Sequence, residues 1–150
     1  EEEVSATQGR ESVAQRDMEK CLELLGRAFR ASGIVCKGNQ LGRTIGVPTC
    51  NIVAPAEKLL PPNGVYFTKV FLSDHAYLGV TNVGTKPTVS SEGAVGIETH
   101  ILGFDEDVYG EEIALDFLHF HRPEQKFVSL DELKNQLKQD IIKAKEYFQI

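Results

Sequence analysis

Ile113-Ala114-Leu115-Asp116-Phe117-Leu118-His119-Phe120 is the stretch on which the fold turns. Ile113, Leu115 and Phe117 alternate with Ala114 and Asp116, so on an extended chain the three large side chains share one face. Leu118 and Phe120 then fall on the other face, which requires either a bulge or a strand buried on both sides. The same grammar recurs toward the N-terminus. Val65 to Leu72 is rich in β-branched and aromatic residues with polar breaks at Thr68 and Lys69. Tyr77 to Val83 and Gly96 to Leu102 are further short strands, separated by clusters of Gly, Pro, Ser and Asp. Between Gly33 and His121 no helical period interrupts, and many short strands without helices between them predict an antiparallel barrel.

The two ends read differently. Met18, Cys21, Leu22 and Leu25 recur at helical spacing, and Gly26 supplies a stop, so a short helix is expected over Asp17 to Leu25. Ser129-Leu130-Asp131-Glu132 forms a capping box, with Ser129 as cap and Glu132 at the third helical position. Leu130, Leu133, Leu137, Ile141, Ala144 and Phe148 then share one face, which is expected to pack on the barrel exterior. The expected organisation is residues 1–32 as a linker and helix, followed by a barrel domain with a C-terminal helix over 33–150.

At 150 residues the chain makes one domain of ordinary size. Its net charge of −6, from 22 acidic and 16 basic residues, argues against a nucleic-acid-binding surface. Cys21, Cys36 and Cys50 are odd in number and lack C-x-x-C spacing, which suits reduced thiols in a cytosolic protein rather than a disulfide or zinc framework. No apolar run approaches a membrane span, and Glu1-Glu2-Glu3 is the opposite of a secretory leader. The expectation is a soluble, cytoplasmic protein without a membrane or nucleic-acid partner.

Gly38-Asn39-Gln40-Leu41-Gly42-Arg43-Thr44-Ile45-Gly46-Val47-Pro48-Thr49-Cys50-Asn51 carries the clearest chemistry. Spaced glycines let backbone N–H groups approach phosphate oxygens, and Arg43 adds a planar fork that pairs with phosphate. The segment is not a Walker loop: Gly38 and Gly42 enclose three residues, Arg43 stands in the lysine position, and Pro48 disfavours a following helix. By itself it reads as an ordinary turn or linker. Thr49 and Asn51 lie two apart, so on an extended chain their neutral oxygens point the same way and suit Mg²⁺.

Glu98 shares a strand face with His100; by itself such a carboxylate reads as a solvated surface group. His119 and His121 also lie two apart, but no third ligand at suitable spacing supports a metal. His75 reads as a surface turn residue. Asn82 to Thr88 reads as a turn after a strand, and Asp105-Glu106-Asp107 as a solvated tip between Phe104 and Tyr109. Arg122, before Pro123 at a strand end, can stack on an aromatic system or pair with a carboxylate.

The loop at 38–51 and four later segments resemble the riboflavin kinase family, specifically the kinase domain of bacterial bifunctional riboflavin kinase/FAD synthetases. Those segments are Pro62-Asn63-Gly64-Val65-Tyr66, Thr81-Asn82-Val83-Gly84-Thr85-Lys86-Pro87-Thr88, Glu98-Thr99-His100-Ile101-Leu102 and Arg122-Pro123-Glu124-Gln125-Lys126-Phe127. Tyr109-Gly110 sits between the last two. The resemblance implies a six-stranded Greek-key-type barrel and the reaction of Mg-ATP with riboflavin to give FMN and ADP. It implies Glu98 as the catalytic base and Thr49 and Asn51 as ligands of metal and nucleotide. Gly38, Arg43, Gly46, Pro48, Ile101, Gly103 and Tyr109 are then expected around ATP. Asn82, Arg122, Gln125 and Phe127 are expected at the flavin, with 81–88 as a flap. Val47 and Cys50 stand where members often carry a larger apolar residue and alanine. Val4-Ser5-Ala6-Thr7-Gln8-Gly9-Arg10 imperfectly resembles the stretch that ends the family's adenylyltransferase module, departing at Ala6 and Gln8. These 150 residues contain no His-x-Gly-His motif of that module, so FAD synthesis is not expected of them. The competing reading is a non-catalytic riboflavin- or FMN-binding module.

Overall fold

Six strands hydrogen-bond edge to edge and close on themselves in a computed structural model that describes residues 11–36, 46–54, 60–85, 95–104 and 106–150. They are β1 (Phe29–Cys36), β2 (Cys50–Ala54), β3 (Gly64–Leu72), β4 (His75–Thr85), β5 (Val95–Ile101) and β6 (Glu112–Arg122). All pairings are antiparallel, and the order around the barrel is β1-β2-β5-β4-β3-β6. Strands β3, β4 and β5 form a meander, while β2 and β6 flank it out of sequence order, which is Greek-key connectivity. Two helices accompany the barrel, α1 (Met18–Leu25) and α2 (Leu130–Phe148).

Alternation sorts every strand into an inner and an outer set. Val35, Ile52, Tyr66, Val70, Val83, Ile97, Ile101, Ile113, Leu115 and Phe117 fill the interior and are almost wholly buried. Thr81 Oγ1 lies 2.8 Å from Thr68 Oγ1 and 2.9 Å from Thr99 Oγ1, so the three buried hydroxyls satisfy one another. Phe117 meets Tyr66 edge-on, with ring centroids 5.3 Å apart. The Tyr66 hydroxyl donates to the Pro62 carbonyl at 2.7 Å, and burial pushes its pKa up to about 12. Phe117→Ala would open this layer and is expected to cost about 3–5 kcal/mol of stability, read as a lowered urea midpoint at unchanged slope.

The change of face within β6 is a bulge. Thr68 pairs with Phe117 but Phe67 pairs with His119, leaving Leu118 extra, and Phe120 thereby returns to the inside against Tyr66. A second register shift follows: Tyr66 pairs with Phe120 but Val65 with Arg122, leaving His121 extra.

Strand structure begins ahead of the expected boundary at residue 33. Strand β1 begins at Phe29, and Met18 and Cys21 of α1 belong to the barrel's own core. Asp17 caps α1 by accepting from the Lys20 N–H at 3.0 Å, and Gly26 ends it at φ 71°. Arg16 reaches the barrel end, lying 4.9 Å from the Phe120 ring and donating to the Asn63 carbonyl at 2.8 Å. Short amphipathic segments before a barrel look like linkers because their partners are distant in sequence.

Helix α2 covers part of the outer wall, where Ala144 and Phe148 pack with Val65, Phe67 and Val80. The Ser129 hydroxyl accepts from the Glu132 N–H at 3.2 Å, as the capping box requires. The expected apolar stripe is only partly right. Leu130 is half exposed in the first turn, and the fully buried positions of the helix are Ala144 and Asp140, a charged residue.

Candidate active site

The interior of the barrel is filled, so the site lies on its outer wall. In register, Asn51 faces Glu98 across β2 and β5, Glu98 faces Asn82 across β5 and β4, Asn82 faces Val65, and Val65 faces Arg122. Residues 97, 99 and 101 point inward, so this row points outward. Neighbouring members are about 5 Å apart across the sheet, which brings a carboxylate between two amides. Asn51, Asn82 and Glu98 are each half-buried.

Where α2 and the segment 123–127 rise over this row they leave a crevice of about 130 Å³. Thr49, Asn82, Glu98, Arg122, Gln125 and Phe127 line it, with Leu133 and Leu137 of α2 as the apolar wall. Enclosed sites for drug-sized ligands run to roughly 300–1,000 Å³, so this crevice takes one edge of such a ligand. A second, smaller cavity lies around Pro48, Thr49, Cys50, Ile101, Phe104 and Glu106. Thr49 borders both cavities and is the hinge between them. A larger cavity of about 560 Å³, lined by Leu25, Arg27, Phe29, Arg30 and Asp116 among others, contains none of the expected site residues. Its Arg30 and Asp116 are already paired at 2.6 Å, so it offers no convergent polar set.

His100 fixes the entry to β2. Its Nδ1–H donates to the Pro48 carbonyl at 2.8 Å, since a carbonyl can only accept. This bond ties the residue before Thr49 to the strand that carries Glu98.

Arg122 resolves toward the carboxylate rather than an aromatic ring. Its Nε and Nη2 donate to Asp140 at 2.9 and 2.7 Å, and Nη1 donates to the Pro123 carbonyl at 3.1 Å. His121 Nε2 lies 3.0 Å from the same carboxylate, and Gln136 donates to it at 2.9 Å. Adjacent residues of a regular strand point to opposite faces; the second β6 shift lets His121 and Arg122 both reach Asp140.

Burial opposes charging of both groups in this cluster. It lowers the His121 pKa, leaving a neutral imidazole whose Nε2–H donates to Asp140. It also pushes the Asp140 carboxyl up, but hydrogen bonds from Arg122 and Gln136 outweigh it and hold the group below the usual carboxylate range. The unfolded chain therefore binds more protons than the folded one at both groups, and stability falls with acidification. Loss is expected to begin below the ordinary histidine value of 6.5 and to deepen below the ordinary carboxylate value of 3.8. Unfolding free energies measured across that range check it, and His121→Gln should remove only the upper step.

Several expected site residues fall elsewhere. Gly38 and Arg43 lie outside the described residues, as do Asp105 and the 86–88 part of the expected flap. Asn82, Gly84 and Thr85 belong not to a turn but to β4, paired with β5 as far as Val95. Gly46 and Gly103 are exposed, with φ of 82° and 70°. Ile101 and Pro48 line the smaller cavity together with Phe104 and Glu106. Tyr109 is 40% exposed, and its N–H donates to Asp107 at 3.1 Å. His119 pairs with Glu19 at 2.6 Å and stacks on Tyr147. Asp140 was not anticipated, because an acidic residue in a charged helix reads as solvated; the one hint was its place beside Ile141 and four residues before Ala144.

A divalent metal fits the donors near Glu98. Among the described residues no three His, Cys, Asp or Glu side chains come together to hold one. A metal here would rest on the neutral oxygens of Thr49 and Asn51 and on substrate phosphate, an arrangement Mg²⁺ accepts.

Fold and site together define a closed antiparallel barrel whose outer wall carries a carboxylate between amide groups, in a crevice that Thr49 joins to a second cavity. The riboflavin kinase (flavokinase) family model matches residues 25–148, and the chain belongs to that family. It is 40% identical over 97% of its length to the bifunctional riboflavin kinase/FMN adenylyltransferase of Haemophilus influenzae. The proteins of the same name from Pseudomonas fluorescens and Escherichia coli K12 are 37% and 39% identical over 95% and 97% of the chain. The chain spans about half the length of these relatives, 47%, 45% and 46% respectively. Among solved structures, a macrolide-efflux protein from Streptococcus pneumoniae aligns with 90% of this chain and 44% of its own, at TM-score 0.81 and 34% identity. A riboflavin kinase from Trypanosoma brucei shares the fold at TM-score 0.55 and 20% identity, over 82% of this chain and 78% of its own. No helix among the described residues is long and apolar enough to cross a membrane.

Proposed function

We propose that this chain transfers the γ-phosphate of Mg-ATP to the ribityl 5′-hydroxyl of riboflavin, giving FMN and ADP. The observation that carries this reading is Glu98, held in register between Asn51 and Asn82 and lining the crevice that Thr49 joins to the smaller cavity. Glu98 accepts the hydroxyl proton as the new P–O bond forms, and its fixed strand position aligns the hydroxyl for in-line attack. Thr49 and Asn51 hold the metal and nucleotide phosphates. Bound Mg²⁺ supplies charge neutralisation at the transferred phosphoryl group. Gly38, Arg43, Gly46, Pro48, Ile101, Gly103 and Tyr109 serve the nucleotide. Asn82, Arg122, Gln125 and Phe127 hold the flavin, whose broad apolar ring matches the wall formed by Phe127, Leu133 and Leu137.

In the full protein, the segment ahead of α1 joins this domain to an adenylyltransferase module like that of the bifunctional relatives, and FAD synthesis belongs to that module. The reaction runs in the cytoplasm, the setting that suits three cysteines without C-x-x-C spacing. Incubating the chain with riboflavin and Mg-ATP tests the reading: FMN and ADP should appear in equal amounts and depend on both substrates. Riboflavin binding without FMN formation would replace the kinase by a flavin-binding module.

A further inference from the structure

Asp140 is fully buried, and its two oxygens take four hydrogen bonds, two from Arg122 and one each from His121 and Gln136. A buried ion pair is weak evidence for a stabilising role, since apolar residues of similar volume pack as well or better. Helix α2 already has an apolar seam against the outer wall through Ala144 and Phe148. What the pair adds is geometry. A two-point bond to a guanidinium fixes both its position and its plane. Three of Arg122's five N–H groups are committed to Asp140 and Pro123, which leaves two for a ligand beside Glu98 and Asn82.

We propose that Asp140 is a positioning residue for the flavin: by clamping Arg122 it sets which edge of the guanidinium faces the crevice, and so sets riboflavin affinity. The proposal rests on the riboflavin kinase reading above. Because Asp140 sits behind Arg122 and touches neither Thr49 nor Glu98, it governs the riboflavin KM and leaves the ATP KM and kcat alone.

The test compares the parent chain, Asp140→Asn, Arg122→Gln and the double variant, with riboflavin and ATP varied separately. Asp140→Asn should raise the riboflavin KM about tenfold and keep kcat and the ATP KM within about twofold of parent. The double variant should be no worse than the poorer single variant, because both act through one guanidinium. Multiplying effects, or a parent-like riboflavin KM in folded Asp140→Asn, would overturn the proposal. Should Asp140→Asn not fold, the double variant carries the test, since it buries a neutral amide pair and no lone charge. A riboflavin KM at the parent level there also overturns it. A parent that makes no FMN would remove the kinase reading itself, an outcome distinct from all of these.

Discussion

Glu98→Gln is expected to lower kcat for FMN formation by about 10²–10⁴-fold while the riboflavin KM moves only a few-fold. The range is that of a positioned general base removed from a proton-transfer step. The amide keeps the size and hydrogen-bonding reach of the carboxylate but does not take up the proton, so substrate still binds and chemistry stalls. Glu98 is on a strand flanked by partners on both sides, Asn51 and Asn82, so the substitution has little backbone freedom through which to disturb the fold. Steady-state rates at saturating Mg-ATP decide the matter. A variant within tenfold of the parent would place the base elsewhere and leave Glu98 a substrate-binding group.

Thr49→Val and Asn51→Leu form the second large effect. Each keeps roughly the side-chain volume and deletes the oxygen that faces the proposed metal position. Loss of one preorganised polar group at a site of developing charge costs about 10²–10³-fold in rate. Both variants should therefore lose about that much in kcat/KM for ATP. The rate should also climb with Mg²⁺ to higher concentrations than in the parent, because the remaining ligands hold the ion less tightly. An unchanged Mg²⁺ dependence with lowered kcat would mean that these side chains orient phosphate without touching metal. Riboflavin binding measured without nucleotide should stay near parent for Asn51→Leu, which separates the two halves of the site.

The outer-wall row explains why the positions of the candidate site were legible. Thr49, Asn51, Glu98 and Arg122 stand out as polar residues at strand positions or strand ends, where alternation already implies a common face. The Ile113–Phe120 stretch announced a change of face, because three large residues hold one parity and two hold the other, and the register shows it to be a bulge. Those are local signals, set by the two-residue period. The extent of β4 was less legible. Gly84 and Thr85 look like turn residues, yet pairing with Gly96 and Val95 keeps them in the sheet. The lining of the smaller cavity was less legible for a similar reason: Phe104 borders it and packs edge-on against Tyr77, a contact the sequence does not announce.

By itself, the sequence determined the barrel class, the two helices with their caps, and a short list of polar residues with chemistry to offer. These follow from periodicity, capping and turn propensity, which act within a few residues. Only the tertiary structure decided that Glu98 stands between Asn51 and Asn82, that Thr49 joins two cavities, and that Asp140 clamps Arg122. Strand register and the docking of α2 make those choices, and both depend on residues tens of positions apart meeting in a closed sheet. An aspartate in a polar helix is surface or core according to what lies across from it, and here a double shift in β6 puts an arginine and a histidine there.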